Sequence, residues 1–337
     1  MRRRARLAGV LAIAAAGCGG GRADGPAGET RLRVLIQPFM AHAPLLLADA
    51  EGYFAEQGIE VEFVRLTENS SALPMLIDGS LDVLTGGPTA AILNAMARGL
   101  PVRAVAEKSY FRSGGCSRGG MVIRKTLLDE AAGAPPRVRR ISIDKSPQQV
   151  YLVEKMLEHA GIDRDSIEFR YVLNAPEMDA LSAGTLDAAL AGEPWLTLNL
   201  ERGAVQWIRA EDVLPDVQFS FIYFGPTLLN GDPDIGRRFL VAYLEGVRQF
   251  EQGKTPRNLE VLARVTGDGA DMIGKMCWPA FKMDGHIDFG GVRGFADWAV
   301  AQGLVDRPIT ESEFWDPAFL QTANRTFAAP QATPPEK

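Results

Sequence analysis

Two stretches of alternating apolar and turn-forming residues recur about a hundred positions apart: LIDGSLDVLTGG at 76–87 and LSAGTLDAALAG at 181–192. Their surroundings repeat in the same order. In the first copy an apolar run at 33–36 predicts a strand. A loop and a helix containing Pro44 follow, then Gly58 with Ile59, a strand holding Glu62 and Phe63, and a polar loop at Asn69. The second copy runs through 140–143, Pro147, Gly161 with Ile162, Glu168 with Phe169, and Asn174. One βαβαβ unit is present twice, which predicts an α/β protein of two similar lobes facing each other across a cleft.

Each copy places a glycine, Gly79 or Gly184, where a helix must stop, because only glycine enters the left-handed region without a Cβ clash. A short buried strand follows, with Asp82 or Asp187 fixing the turn. Residues 86–89 and 192–195 then leave the carboxyl end of that strand and open the next helix. Backbone N–H groups are free at that position, and ligands of open α/β sheets bind there.

The first lobe is predicted over 31–122, with a helix at 89–98, a further strand at 101–106 and a Gly-rich polar loop at 113–120. The second lobe covers 123–221, ending in the alternating apolar run 219–224. Two crossings, near 122–125 and 220–224, form a hinge. Residues 222–327 return to the first lobe as helices at 235–250, 258–266, 270–281 and 292–302, where apolar residues recur at three- and four-residue intervals. Residues 328–337, with three prolines and no large apolar side chain, predict a disordered tail.

The N-terminus changes the picture of where the chain works. Its first six residues carry four arginines and precede an apolar run, 7–16, too short to span a bilayer, so 1–17 reads as a secretory signal peptide. Ala15, Ala16, Gly17 and Cys18 resemble the bacterial lipobox, which makes Cys18 a candidate for lipidation; Ala15 stands where a larger aliphatic residue is usual, and cleavage by ordinary signal peptidase is the alternative. Residues 18–30 would be a flexible tether. Without 1–17 the formal charge moves from −6 to −10, which with the lack of a basic, aromatic-interleaved patch excludes nucleic-acid binding. Cys116 and Cys277 have no spacing that predicts pairing, so unpaired buried thiols are expected, with pairing in an oxidising compartment the alternative.

Residues 42–62, HAPLLLADAEGYFAEQGIEVE, together with 76–91 and ARGLP at 97–101, resemble the solute-binding proteins of ABC importers for nitrate, taurine, alkanesulfonates and thiamine-pyrimidine precursors. The resemblance runs from about 32 to 320. It implies a type II periplasmic-binding-protein fold: two lobes, two hinge crossings, C-terminal helices packed on the first lobe, and one ligand between the lobes. It also implies which loops face that ligand. From the first lobe these supply Gln37, Phe39, His42, Glu68, Asn69, Ser70, Gly87, Pro88 and Thr89; from the second, Ser146, Gln148, Asn174, Glu193 and Trp195. Helix starts at Gly87, Pro88 and Thr89 and at Ser146 and Gln148 would present N–H groups to an anion. Phe39 and Trp195 would cover an apolar body, and Glu193 would accept from an amine. Structural alternatives stand beside these roles: helix capping for His42 and Asn174, lobe packing for Trp195, an ion pair for Glu193. Lys145, Arg112 and Arg118 are the basic residues expected nearest the cleft.

The expected function is an extracytoplasmic solute-binding lipoprotein, periplasmic or on the cell surface, held to the membrane only through its N-terminal lipid. As a monomer it would deliver a small polar or anionic nutrient to an ABC permease. The runner-up is an enzyme on the same fold, of the pyrimidine-synthase or menaquinone-lyase type. The first would need clustered cysteines and a lysine-bound pyridoxal phosphate, whereas Cys116 and Cys277 stand alone; the second is cytosolic. No phosphate loop, zinc spacing, H-E-x-x-H or nucleophile motif occurs, so no cofactor, metal or catalytic residue is expected.

Overall fold

The computed structural model describes residues 30–37, 39–66, 72–173 and 175–328. The signal peptide, Cys18, residues 18–29 of the tether and nearly all of the tail fall outside that range, as do Glu68, Asn69, Ser70 and Asn174, whereas Thr30, expected as tether, opens the first strand.

Among the described residues ten strands form two five-stranded sheets. In chain order they are β1 (Thr30–Ile36), β2 (Ile59–Arg65), β3 (Val83–Gly86), β4 (Arg103–Tyr110), β5 (Gly119–Arg124), β6 (Arg140–Ser142), β7 (Glu168–Arg170), β8 (Ala188–Gly192), β9 (Ala204–Arg209) and β10 (Gln218–Phe224). The sheet orders are β2-β1-β3-β10-β4 and β7-β6-β8-β5-β9. In each order the first three strands, β2-β1-β3 and β7-β6-β8, are mutually parallel. The inserted strand is antiparallel in both cases and comes from the crossing chain: β5 lies between β8 and β9, β10 between β3 and β4. The two lobes therefore exchange one strand each. β5 lies wholly in the second sheet and β10 wholly in the first, so the sequence boundaries at 122 and 221 fall inside strands; the chain passes between sheets at 111–118 and 210–217.

Central strands are buried on both faces, and their sequences show it as continuous apolar runs rather than alternation. Val34, Leu35 and Ile36 of β1 and Phe221, Ile222, Tyr223 and Phe224 of β10 are buried. Each sheet carries an apolar core on both faces. The C-terminal helices cover the first lobe as expected. Pro233–Phe250 packs on Ala43–Ala50 and on Pro317–Ala328, and Phe289–Ala301 packs on β10 and on Ala90–Ala97. This last helix also reaches the second lobe, where Trp298 Nε1 donates to Glu154 at 2.8 Å and Phe295 meets the Tyr151 ring edge-on.

One helix is shorter than its pattern predicts. The 270–281 run is helical only over Ala270–Lys275. Pro279 has no N–H for a helical bond and disfavours helical geometry at the residue before it, and the chain instead runs beside the end of β4, with Tyr110 N bonded to Ala280 O.

Candidate functional site

The repeated sequence blocks build the same local device in both lobes. In the first, Arg33 of β1 donates its backbone N–H to Asp82 at 2.9 Å and its side chain to both Asp82 and the Gly79 carbonyl. In the second, Arg140 of β6 donates backbone and side chain to Asp187, both at 2.9 Å, and reaches the Gly184 carbonyl at 3.0 Å. The aspartate thus locks a helix end to the first strand, and the glycines take φ of 76° and 75°. From these anchors β3 and β8 run to Gly86 and Gly192 and open toward the opposite lobe.

The strand-end loops meet. A β-carbon placed on Gly87 would lie 2.0 Å from Gln148 Oε1, so the first lobe's third loop touches the start of the second lobe's helix Pro147–His159. Gln148 Nε2 also donates to Phe219 O at 2.9 Å, at the start of β10 in the first lobe's sheet. Thr89 caps the helix Ala90–Ala97 by accepting from Ile92 N, and Ser146 caps Pro147–His159 by accepting from Gln149 N. Their hydroxyl oxygens serve the backbone, and Pro88 beside Thr89 is buried. Gln37 is half-buried after β1, Phe39 is 41% exposed, and Trp195 is half-buried at the start of Trp195–Glu201.

Glu193 is engaged within the protein. Its carboxylate accepts from Cys277 N at 2.9 Å, Thr197 N at 3.1 Å and Thr197 Oγ1 at 2.9 Å. Burial pushes its pKa up, and these hydrogen bonds offset part of the rise. Its ties join the second lobe's cleft loop to the segment beside β4. There the expectation of free thiols is overturned: Cys116 and Cys277 form a disulfide, S–S 2.02 Å, with Cα atoms 5.7 Å apart. The pairing of β4 with the 276–281 segment brings together residues 161 positions apart, a proximity that spacing does not reveal.

His42 occupies the N-cap position of Ala43–Ala50 but makes no capping bond. Its ring is buried, with Nε2 2.8 Å from Thr85 Oγ1 and 3.2 Å from Lys108 Nζ. Thr85 Oγ1 also lies 2.7 Å from Leu35 O, which ties the His42 ring to the end of β1. Burial and the neighbouring Lys108 hold His42 well below its ordinary pKa, keeping it neutral. Sequence reading missed Lys108, although a signal exists: the adjacent charges Glu107 and Lys108 interrupt an otherwise apolar strand whose residues are almost all buried. Burial, then repulsion from Arg118, lowers Lys108 to about 7, with Glu107 pulling the other way. Burial raises Glu107 to about 8 despite its bond from Lys282 N. Of the residues expected near the cleft, Arg112 is drawn away into pairs with Tyr110 and Glu251, and Lys145 is exposed above the Tyr171 ring. Arg118 is half-buried, its guanidinium over the Phe111 ring, and desolvation lowers it to about 10. Among the described residues no group of three or more His, Cys, Asp or Glu is placed to hold a metal ion, and no helix is long and apolar enough to cross a membrane.

The architecture is a fold shared with solved periplasmic binding proteins. The structure superposes on the ligand-binding component of an ABC-type import system from Staphylococcus aureus with a TM-score of 0.72 at 16% identity, covering 88% of this chain and 100% of that one. It matches the nitrate-binding protein NrtA of Synechocystis PCC 6803 at 0.69 (14% identity, 90% of each chain), and the alkanesulfonate-binding protein SsuA of Xanthomonas axonopodis pv. citri at 0.66 (18% identity, 86% and 99%). In sequence, residues 40–111 match the family described as NMT1/THI5 like. The chain is 28% identical over 184 residues to the bicarbonate transport ATP-binding protein CmpC of Synechococcus elongatus, half of this chain but 27% of CmpC. It is 39% identical over 73 residues to the Saccharomyces cerevisiae pyrimidine phosphate synthase THI11, 21% of each. The chain thus spans about a quarter or less of the curated relatives it matches.

Proposed function

We propose that this protein is the solute-binding component of an ABC-type importer, capturing a small polar or anionic solute between its lobes and presenting the closed form to a permease. The observation that carries this reading is the contact of Gly87 with Gln148 between lobes joined by two crossings: strand-end loops of both lobes converge on one place. Ligand-facing roles for Gln37, Phe39, His42, Gly87, Gln148 and Trp195 follow from that convergence, with Glu68, Asn69, Ser70 and Asn174 completing the set from the sequence. A solute that contacts both lobes favours the closed arrangement by its differential affinity. Micromolar binding, roughly −8 kcal/mol, is within reach of a few well-aimed hydrogen bonds and a covering ring. The signal-like N-terminus and Cys18 support an extracytoplasmic, lipid-tethered protein, and the ABC-type importers among its structural relatives support nitrate- or sulfonate-like cargo.

Native mass spectrometry of the purified protein for retained solute, followed by thermal shift across nitrate, sulfonates, carboxylates and pyrimidines, tests the reading. A true ligand at a hundred times its dissociation constant adds about 2.7 kcal/mol of stability. Chemical conversion of a solute without any stabilisation would instead place the protein with the synthases of this fold.

A further inference from the structure

Glu107 and Arg118, the two residues whose charges act on Lys108, each carry a buried side-chain atom without a hydrogen-bond partner among the described residues, Glu107 Oε1 and Arg118 Nε. Buried polar groups are ordinarily paired, so such atoms call for a missing partner. Lys108, 1% exposed, lies beside them and 3.2 Å from His42 Nε2. Its ammonium has three donors. Ala41 O and His42 Nε2 each lie 3.2 Å away, so at least one N–H is left without an acceptor. The position is that of a ligand-facing floor. His42 and Ala41 belong to the loop after β1, and Thr85 comes two residues before Gly87, which touches the opposite lobe. Arg118, whose carbonyl accepts from Glu193 N of the second lobe's cleft loop, also lines a small cavity of about 60 Å³ with Tyr110, Arg112, Cys116, Glu211 and Trp278.

Resting on the receptor reading above, we propose that Lys108 is the buried cation that receives the oxyanion group of the solute, and that capture is accompanied by proton uptake at its amine. The groups facing Lys108 are His42 from the loop after β1, Glu107 on its own strand and Arg118 from the crossing; Lys282 lies beyond, acting on Glu107. The two guanidinium and ammonium groups repel one another, His42 is neutral, and Glu107 is held toward its neutral acid form. An anion placed against Lys108 relieves that repulsion and supplies an acceptor for the N–H left without one. The free amine, titrating near 7, must take a proton to offer a full charge above that pH. Affinity for an anion is then highest below pH 7 and falls as pH rises through it, by up to about tenfold per unit until the pKa of the complex is reached.

The test is isothermal titration of the purified full chain with nitrate, acetate, ethanesulfonate and the uncharged pyrimidine 4-amino-5-hydroxymethyl-2-methylpyrimidine at pH 6.5 and 8.5, in buffers of differing ionisation enthalpy. An anionic probe is expected to bind at least tenfold more tightly at pH 6.5 and to take up close to one proton at pH 8.5; Lys108→Met is expected to lose at least a hundredfold in affinity while melting no lower than wild type. Proton uptake is read on the wild-type protein and does not depend on how the variant folds. An anion that binds without proton uptake, or binds Lys108→Met as tightly, overturns the assignment and leaves the receptor reading standing, as does exclusive binding of the uncharged probe. If no solute binds the wild-type protein, both fail.

Discussion

Gln148 of the second lobe lies on the bare backbone of Gly87 in the first, where a β-carbon would come within 2.0 Å of its side-chain oxygen. The φ of Gly87 is not in the left-handed region, so a larger residue there is opposed by the other lobe and not by its own backbone. Gly87→Val is expected to push the Gln148 side chain off, break its bond to Phe219 O and hold the lobes apart. Loss of that bond and contact costs closure about 1–2 kcal/mol, which weakens solute affinity roughly five- to thirtyfold. Small-angle scattering should show a larger radius of gyration than wild type with an unaltered far-ultraviolet spectrum. Equal radii and equal affinities would show that the contact does not govern closure.

The Arg140 and Asp187 pair repeats the Arg33 and Asp82 pair, and both should be structural rather than functional. Asp187 is nearly buried. Although burial pushes its pKa up, hydrogen bonds from Arg140, Arg139 and Arg124 outweigh it and hold the carboxyl below its ordinary value. Such a depressed pKa contributes stability above the unfolded value of about 3.9 and loses it as pH falls through the folded value. Asp187→Ala strands two arginines and is expected to cost about 3 kcal/mol at pH 7 in urea unfolding, with a smaller deficit at pH 3. Solute affinity in the folded fraction should not change.

The Cys116 to Cys277 bridge closes a loop of 161 positions across the first crossing. On chain-entropy grounds a closed loop of this length contributes about 3–5 kcal/mol. Replacing both cysteines by serine, or adding reductant, is expected to lower the urea midpoint accordingly. A midpoint that ignores reductant would mean that the hinge is held by its other ties, Glu193 to Cys277 N among them.

The duplicated pattern made the lobes legible because the devices that build them are local: a glycine ending a helix, an aspartate five residues or fewer beyond, an arginine on the preceding strand. Caps at Thr89 and Ser146 were legible as helix starts for the same reason. What remained hidden depends on the exchange of β5 and β10. Since each crossing strand pairs in the other lobe's sheet, a boundary drawn where apolar character changes cuts through a strand. The disulfide and the Glu193 ties arise from a segment that an amphipathic pattern assigns to helix but that Pro279 releases to run beside β4. Lys108 was passed over because a charge inside an apolar strand reads locally as a solvated edge, and only the loop after β1 closing over it reveals that it is buried.

Glu177 offers a test of the second lobe that needs no ligand. It lies in the helix Ala175–Ser182, 3% exposed, and burial raises its carboxyl to about 8, with the Ser142 hydroxyl offsetting only part of the effect. The folded pKa is therefore above the unfolded value near 4.3. Between those two values the native state holds a proton that the unfolded chain releases, so stability falls as pH rises through that window and the loss is complete above about 8. Glu177→Gln removes the proton requirement while keeping the shape. It is expected to match wild type at pH 4.5 and to exceed it by about 2–3 kcal/mol at pH 8.5, less than the full cost of ionising in place because relaxation and water entry soften the penalty. Urea unfolding at the two pH values measures the difference. A gain of equal size at both would trace the effect to packing, whereas a loss at pH 8.5 would mean that the ionised carboxylate has a partner in the native state that Gln cannot replace.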